Sequence, residues 1–173
     1  MGMILVGISI LFILIEKVVL SNLGLTQVNL VLILWVVVVY NLLSRGDKKE
    51  KNLDLVFIIF LSGILFDFLA AETIGLHSLL FMGSICWVVL LIRKIPFQNF
   101  LLLFPLSVFL ASASHNVLLY IFYIAKGVNI SFALTDFIFK SIVLDLSFGL
   151  LLYPLLSLFL KKINLKREIE LKA

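Results

Sequence analysis

An all-α membrane protein built as a six-transmembrane-helix bundle is what this sequence predicts, and three observations predict it. Of 173 residues, 63% are hydrophobic and 14% charged, against about 45–50% and about 25% in soluble domains. The apolar residues are gathered into long runs, most of them near the roughly 20 residues that a bilayer core requires. Lys and Arg sit in short clusters between those runs, where they act as topology determinants. Six helices and short connections use up nearly the whole chain, which leaves no soluble domain of useful size.

The first run, 3–20, carries Glu16 and Lys17 near its far end. It lacks a basic n-region and an A-x-A-like cleavage site, so it reads as a helix and not as a secretory signal. A polar turn around Ser21, Asn22, Gly24, Thr26 and Gln27 leads to a second run, 28–43, just long enough to cross. SRGDKKEKN, residues 44–52, is an aqueous loop. The third helix is expected over 54–71 and the fourth over 75–92. Their short link at Glu72, Thr73 and Ile74 makes them an antiparallel hairpin. A fifth run, 97–125, is longer than a crossing needs, and Pro105 either kinks it or marks its true start. The sixth helix spans 136–160, with Ser131 or Thr135 as its cap, and a basic tail, 161–173, follows.

Six crossings put Arg45, Lys48, Lys49, Lys51, Arg93, Lys94, Lys161, Lys162, Lys166, Arg167 and Lys172 on one side and Lys126 on the other. That bias places both termini in the cytoplasm and the chain in a bacterial inner membrane. The net charge of +4 is spread over these clusters, so no nucleic-acid surface is expected. Cys86, the single cysteine, lies in an apolar run; it has no disulfide or metal-pair partner and reads as packing.

Ionisable groups within spans cost about 2.5–3.5 kcal/mol each on insertion scales, so each needs a partner or a function. The third helix holds Gly63, Asp67 and Ala71 at i, i+4 and i+8 on one small, polar face. Asp67 is therefore either a ligand or partner contact or a buried structural carboxylate. In the sixth helix Asp136 and Lys140 are spaced to pair, and Ser141, Asp145 and Gly149 form a stripe that faces protein. Asp145 alone is too little for a proton relay, which needs further carriers. His77 opens the fourth helix; His115 lies in the fifth, where Ser107, Ala111 and Ser114 make a small-residue face. No zinc-type spacing joins the two histidines, so each is expected to bond a neighbour and no metal or other cofactor is expected. Nucleophile elbows, phosphate loops and metal-spaced acids are absent from the sequence, so it does not read as an enzyme.

The hairpin GILFDFLAAETIGLHSLLFMGSICWVVLLIRK resembles the central hairpin of the rod shape-determining protein MreD family. The family's pattern, Gly-x-x-x-Asp and then Gly-Leu-x-x-Leu, is matched by Gly63, Asp67, Gly75, Leu76 and Leu79. Asn29 with Leu30 resembles the start of the family's second helix, where Pro-Asp-Leu is commoner, and Pro154 is similar to the proline of its last helix. That helix often carries Asn where this chain has Asp145.

The resemblance implies a non-enzymatic scaffold or regulatory subunit of the cell-elongation machinery that builds peptidoglycan and maintains rod cell shape. Its implied partners are an MreC-like single-pass protein, the MreB actin-like filament, RodA, a class B penicillin-binding transpeptidase and membrane lipids. The small-residue stripes are the expected docking faces. The family's fold is similar to the substrate-binding subunits of energy-coupling-factor transporters, which supplies an alternative: a subunit that binds a small, vitamin-like solute. That alternative predicts a polar cavity on the outer side and a small-residue stripe on the first helix, which contains no alanine. A proton-coupled carrier is disfavoured because no repeat is evident. The diluted basic tail reads as a topology signal.

Overall fold

The computed structural model describes residues 2–44, 52–70, 73–94, 100–127 and 133–170, and these are all-helical. The elements are α1 (Gly2–Leu14), continued by a π-helical turn over Ile15–Leu20, then α2 (Leu30–Ser44), α3 (Asn52–Ala70), α4 (Leu76–Lys94), α5 (Phe100–Ala125) and α6 (Ala133–Glu170). Four stretches are long and apolar enough to cross a membrane: Met3–Leu20, Leu76–Lys94, Leu102–Ala125 and Ile138–Lys162. Leu30–Leu43 and Leu55–Ala70 are shorter. Phe57, Phe68, Leu79, Leu102, Phe139, Leu151 and Leu158 are well exposed around the outside, a surface that suits lipid and not water. The architecture is that of a multi-pass helical membrane protein.

Helix α2 is the hub. Every side chain from Val28 to Asn41 is buried, because LVLILWVVVVY has no polar face and can be covered on all sides. It packs against α1, α4, α5 and α6. It also meets α3 through Trp35, whose Nε1–H donates to Ser62 Oγ at 2.8 Å; Ser62 in turn donates to the Ile59 carbonyl. Around the hub, α3 lies between α1 and α4, and α5 between α4 and α6. At its far end Tyr40 meets Phe104 and Tyr153 edge-on, while Asn41 donates to Val37 O and accepts from Ser157. Fourteen residues reach only about 21 Å at 1.5 Å per residue. A helix enclosed by protein does not have to match the roughly 30 Å hydrocarbon core on its own.

The α3–α4 hairpin is fixed at Gly63. A Cβ there would overlap the backbone N and Cα of Ser78, so the two helices touch backbone to backbone. Ser78 Oγ donates to the Phe60 carbonyl at 2.9 Å across the same contact. Gly75 makes the turn with φ +92°, a conformation that suits glycine.

Several limits differ from expectation. Pro105 lies inside α5, where near the helix start it removes one i→i−4 bond and does not end the helix. Helix α6 continues through Pro154 and ten residues past Leu160, to Glu170. Cys86 is exposed on α4, so it faces outward and is not packed. Ala71, Glu72, Ser131 and the 45–51 loop lie outside the described residues, as does the Asp136 side chain with its expected pairing to Lys140.

Gly63→Ala is expected to lower stability by about 1–3 kcal/mol through overpacking. Gly7→Ala, at a glycine with no neighbour within 4 Å, should change it by no more than about 0.5 kcal/mol. Thermal unfolding of both variants in detergent checks this.

Candidate functional site

Burying α2 creates a problem at its first turn. The leading N–H groups of a helix have no intrahelical acceptor, and inside an apolar bundle no bulk water meets them. Here each has an acceptor. Asn29 N–H donates to Asp145 Oδ1 at 2.8 Å, Leu30 N–H to Glu16 Oε2 at 2.8 Å and Val31 N–H to the same oxygen at 3.4 Å. Leu32 N–H donates to Asn29 Oδ1 at 2.9 Å, so Asn29 is the N-cap, and Ile33 N–H begins the helical ladder on Asn29 O. The π-helical turn presents Glu16 to this point, and α6 presents Asp145. Carboxylates also complement the positive end of the helix dipole.

The surroundings continue the network. Ser112 Oγ of α5 donates to Asp145 Oδ2 at 2.6 Å, Ser141 Oγ to Gln27 O at 2.8 Å, and Asn116 Nδ2 to Ser112 O. Asn29 Nδ2 lies 3.3 Å from His115 Nε2. His115 is 5% exposed, and its Nδ1 has no hydrogen-bond partner among the described residues. Its ring stacks on Phe81 and lies 5.8 Å from that of His77.

Asp67 serves α4 as Glu16 and Asp145 serve α2. Its Oδ2 accepts the Gly75 N–H at 2.7 Å, its Oδ1 accepts the His77 N–H at 3.1 Å, and Oδ1 is 2.6 Å from His77 Nδ1. Asp67, His77, His115 and Asp145 are thus drawn to the same end of the bundle, where α1, α3 and α5 finish and α2, α4 and α6 start. Lys140 is exposed and Pro154 lies toward the opposite end of α6. Gly63 and the Ser141, Asp145 and Gly149 stripe pack within the bundle: Gly63 against α4, and Gly149 against Val108 of α5. These stripes are therefore not free for docking other chains. Sequence reasoning did not single out Ser112 or Asn116, nor the capping role of Glu16. An i+4 pattern within α5 gave no sign of a partner on α6.

A pocket of about 350 Å³ opens at this end, with Glu16, Lys17, Asn29, His77, His115 and Ser141 in its wall. Lys17 places its Nζ 4.2 Å from the Phe66 ring centroid, a cation–π contact. Among the described residues no group of three or more His, Cys, Asp or Glu side chains is placed to hold a metal ion.

No protein-family model matches this chain, and neither does any curated protein or solved structure. The site is therefore read from its own geometry: capped helix starts beside a polar pocket.

Asp145→Leu leaves two buried donors unmet and is expected to cost about 1–3 kcal/mol for each. Asp145→Asn keeps an acceptor for Asn29 and should cost less than half as much. Unfolding midpoints in one detergent, compared across both variants, check the order.

Proposed function

We propose that this chain is a non-enzymatic scaffold or regulatory subunit of the bacterial cell-elongation machinery, similar to MreD, and that it binds an MreC-like single-pass protein. In this reading it crosses the inner membrane six times with both termini cytoplasmic. It works beside an MreB filament, RodA and a class B penicillin-binding transpeptidase in peptidoglycan synthesis.

The observation that carries the reading is the α3–α4 hairpin. Four of the five hairpin residues that carry the resemblance form one interlocked unit. Gly63 admits the α4 backbone, Asp67 caps α4, Gly75 supplies the positive-φ turn, and Leu76 is buried behind it. Leu79 stands 70% exposed, on the outside of the bundle. Because Gly63 and Asp67 act inside the fold, partner contacts belong to the outward faces.

One observation favours a second reading, a small-solute binding subunit similar to those of energy-coupling-factor transporters. The polar pocket lies at the end opposite the basic clusters, the outer side in the topology above. Helix α1 still offers no alanine stripe, although Gly7 is open to its surroundings.

Affinity capture of the tagged chain from its native membrane, in mild detergent, separates the two. Enrichment of an MreC-like protein, with rounding of rod cells on depletion, is the expected result. Enrichment of an ATPase pair with cell shape unchanged on depletion would overturn the scaffold reading in favour of the second.

A further inference from the structure

We propose that the pocket at the start of α2 binds an uncharged, amphipathic solute that donates hydrogen bonds, of the class of a primary amide, through Glu16 and Asn116. Both side chains are more than nine-tenths buried, at 8% and 6% exposure, both line the pocket, and each keeps one oxygen that the protein does not bond.

At Asn116 the orientation of the amide follows from its partner. Nδ2 donates to Ser112 O at 2.8 Å, and a backbone carbonyl only accepts, so the other end of the amide is the acceptor Oδ1. Among the described residues nothing donates to it. Glu16 spends Oε2 on the Leu30 and Val31 amides, and Oε1 is likewise without a donor among the described residues. Neither oxygen is sealed in the way His115 Nδ1 is, which lacks both a partner and accessible surface. What little surface Glu16 and Asn116 keep is where they border the pocket. Water meets these oxygens when the pocket is empty, and a solute that replaces it has to bring donors of its own.

Charge narrows the class further. Lys17 stands in the same wall and balances the charge of its neighbour Glu16, while its ammonium rests on the Phe66 ring. The ion pair between described residues is elsewhere, between His77 and Asp67. Asp145 has both oxygens bonded, to Asn29 and Ser112. The wall therefore holds no uncompensated charge, and an ion entering it would give up water with no opposite charge left over to meet it.

At about 30 Å³ of liquid volume per water, the 350 Å³ pocket admits a ligand on the order of a dozen heavy atoms. Phe66, Leu119 and Tyr123 in the wall cover an apolar portion. A primary amide on a small ring meets all of these requirements. The site rests on the second reading above, that of a solute-binding subunit, and names the class of solute.

The test uses the full chain in phosphatidylcholine nanodiscs and probes built on one ring: benzamide, N,N-dimethylbenzamide, benzoate and benzylammonium. The dimethyl compound removes the donors of benzamide, and the last two replace its neutral group with a negative or a positive one. Empty nanodiscs correct for partition into lipid. The readouts are the side-chain amide resonances of Asn116 and the unfolding midpoint. Benzamide is expected to give a saturable shift and a raised midpoint, and each of the other probes should bind about tenfold or more weakly. Glu16→Gln keeps an acceptor for the Leu30 amide but turns an NH₂ group toward the pocket; folded by circular dichroism, it should weaken benzamide by a similar factor. The comparison of benzamide with its dimethyl analogue is made on the unsubstituted chain and decides the matter whether or not that variant folds. No saturation by benzamide, or equal affinity for the dimethyl compound, overturns the proposal. Saturation by benzoate or benzylammonium alone overturns the uncharged class while leaving a solute-binding subunit standing; that reading falls separately, through capture of an MreC-like protein without an ATPase pair.

Discussion

The first turn of α2, set within the bundle, is the constraint from which the rest of this structure follows. A helix apolar on every side gains most when it is enclosed, but enclosure takes its leading N–H groups out of reach of water. Three side chains resolve the conflict, and they come from three places in the chain. Glu16 needs the π-helical turn to reach Leu30 and Val31. Asn29 sits at the helix entrance, and Asp145 comes from α6, 116 residues further on. These bonds set the register of α1 and α6 against the hub.

The same device recurs at α4, where Asp67 of α3 meets the Gly75 and His77 amides. Both helix starts at this end are thus closed by carboxylates buried in the bundle, where an acid is costly unless it is bonded. The pocket lies between the two caps, bounded by Glu16 and Asn29 on one side and by His77 on the other. Its polarity follows from the groups that cap helix starts inside the bundle.

The helices were legible because apolar run length reports on them directly: α1 with its π-helical end, α4 and the body of α5 lie close to the expected limits. The inner position of α2 was not drawn from the sequence. VLILWVVVV reads equally as a lipid-facing span and as an enclosed helix, and only the neighbours decide. The histidines and acids stood out by type, but what each one does depends on contacts such as Asn29 with Asp145 that no local spacing encodes. Small-residue stripes signal close approach without saying to what. Gly63 approaches the chain's own α4, where sequence reasoning looked for another protein.

Hydrogen exchange at single amides of α2 tests the capping account most directly. In an ordinary helix the first amides exchange freely, since they have no intrahelical acceptor. Here the amides of Asn29, Leu30 and Val31 should be slowed to rates approaching that of Val36 in mid-helix. Glu16→Ala should release Leu30 and Val31 while leaving Asn29, held by Asp145, slow. Rapid exchange of all three amides in the unsubstituted chain, with Val36 protected, would contradict the account.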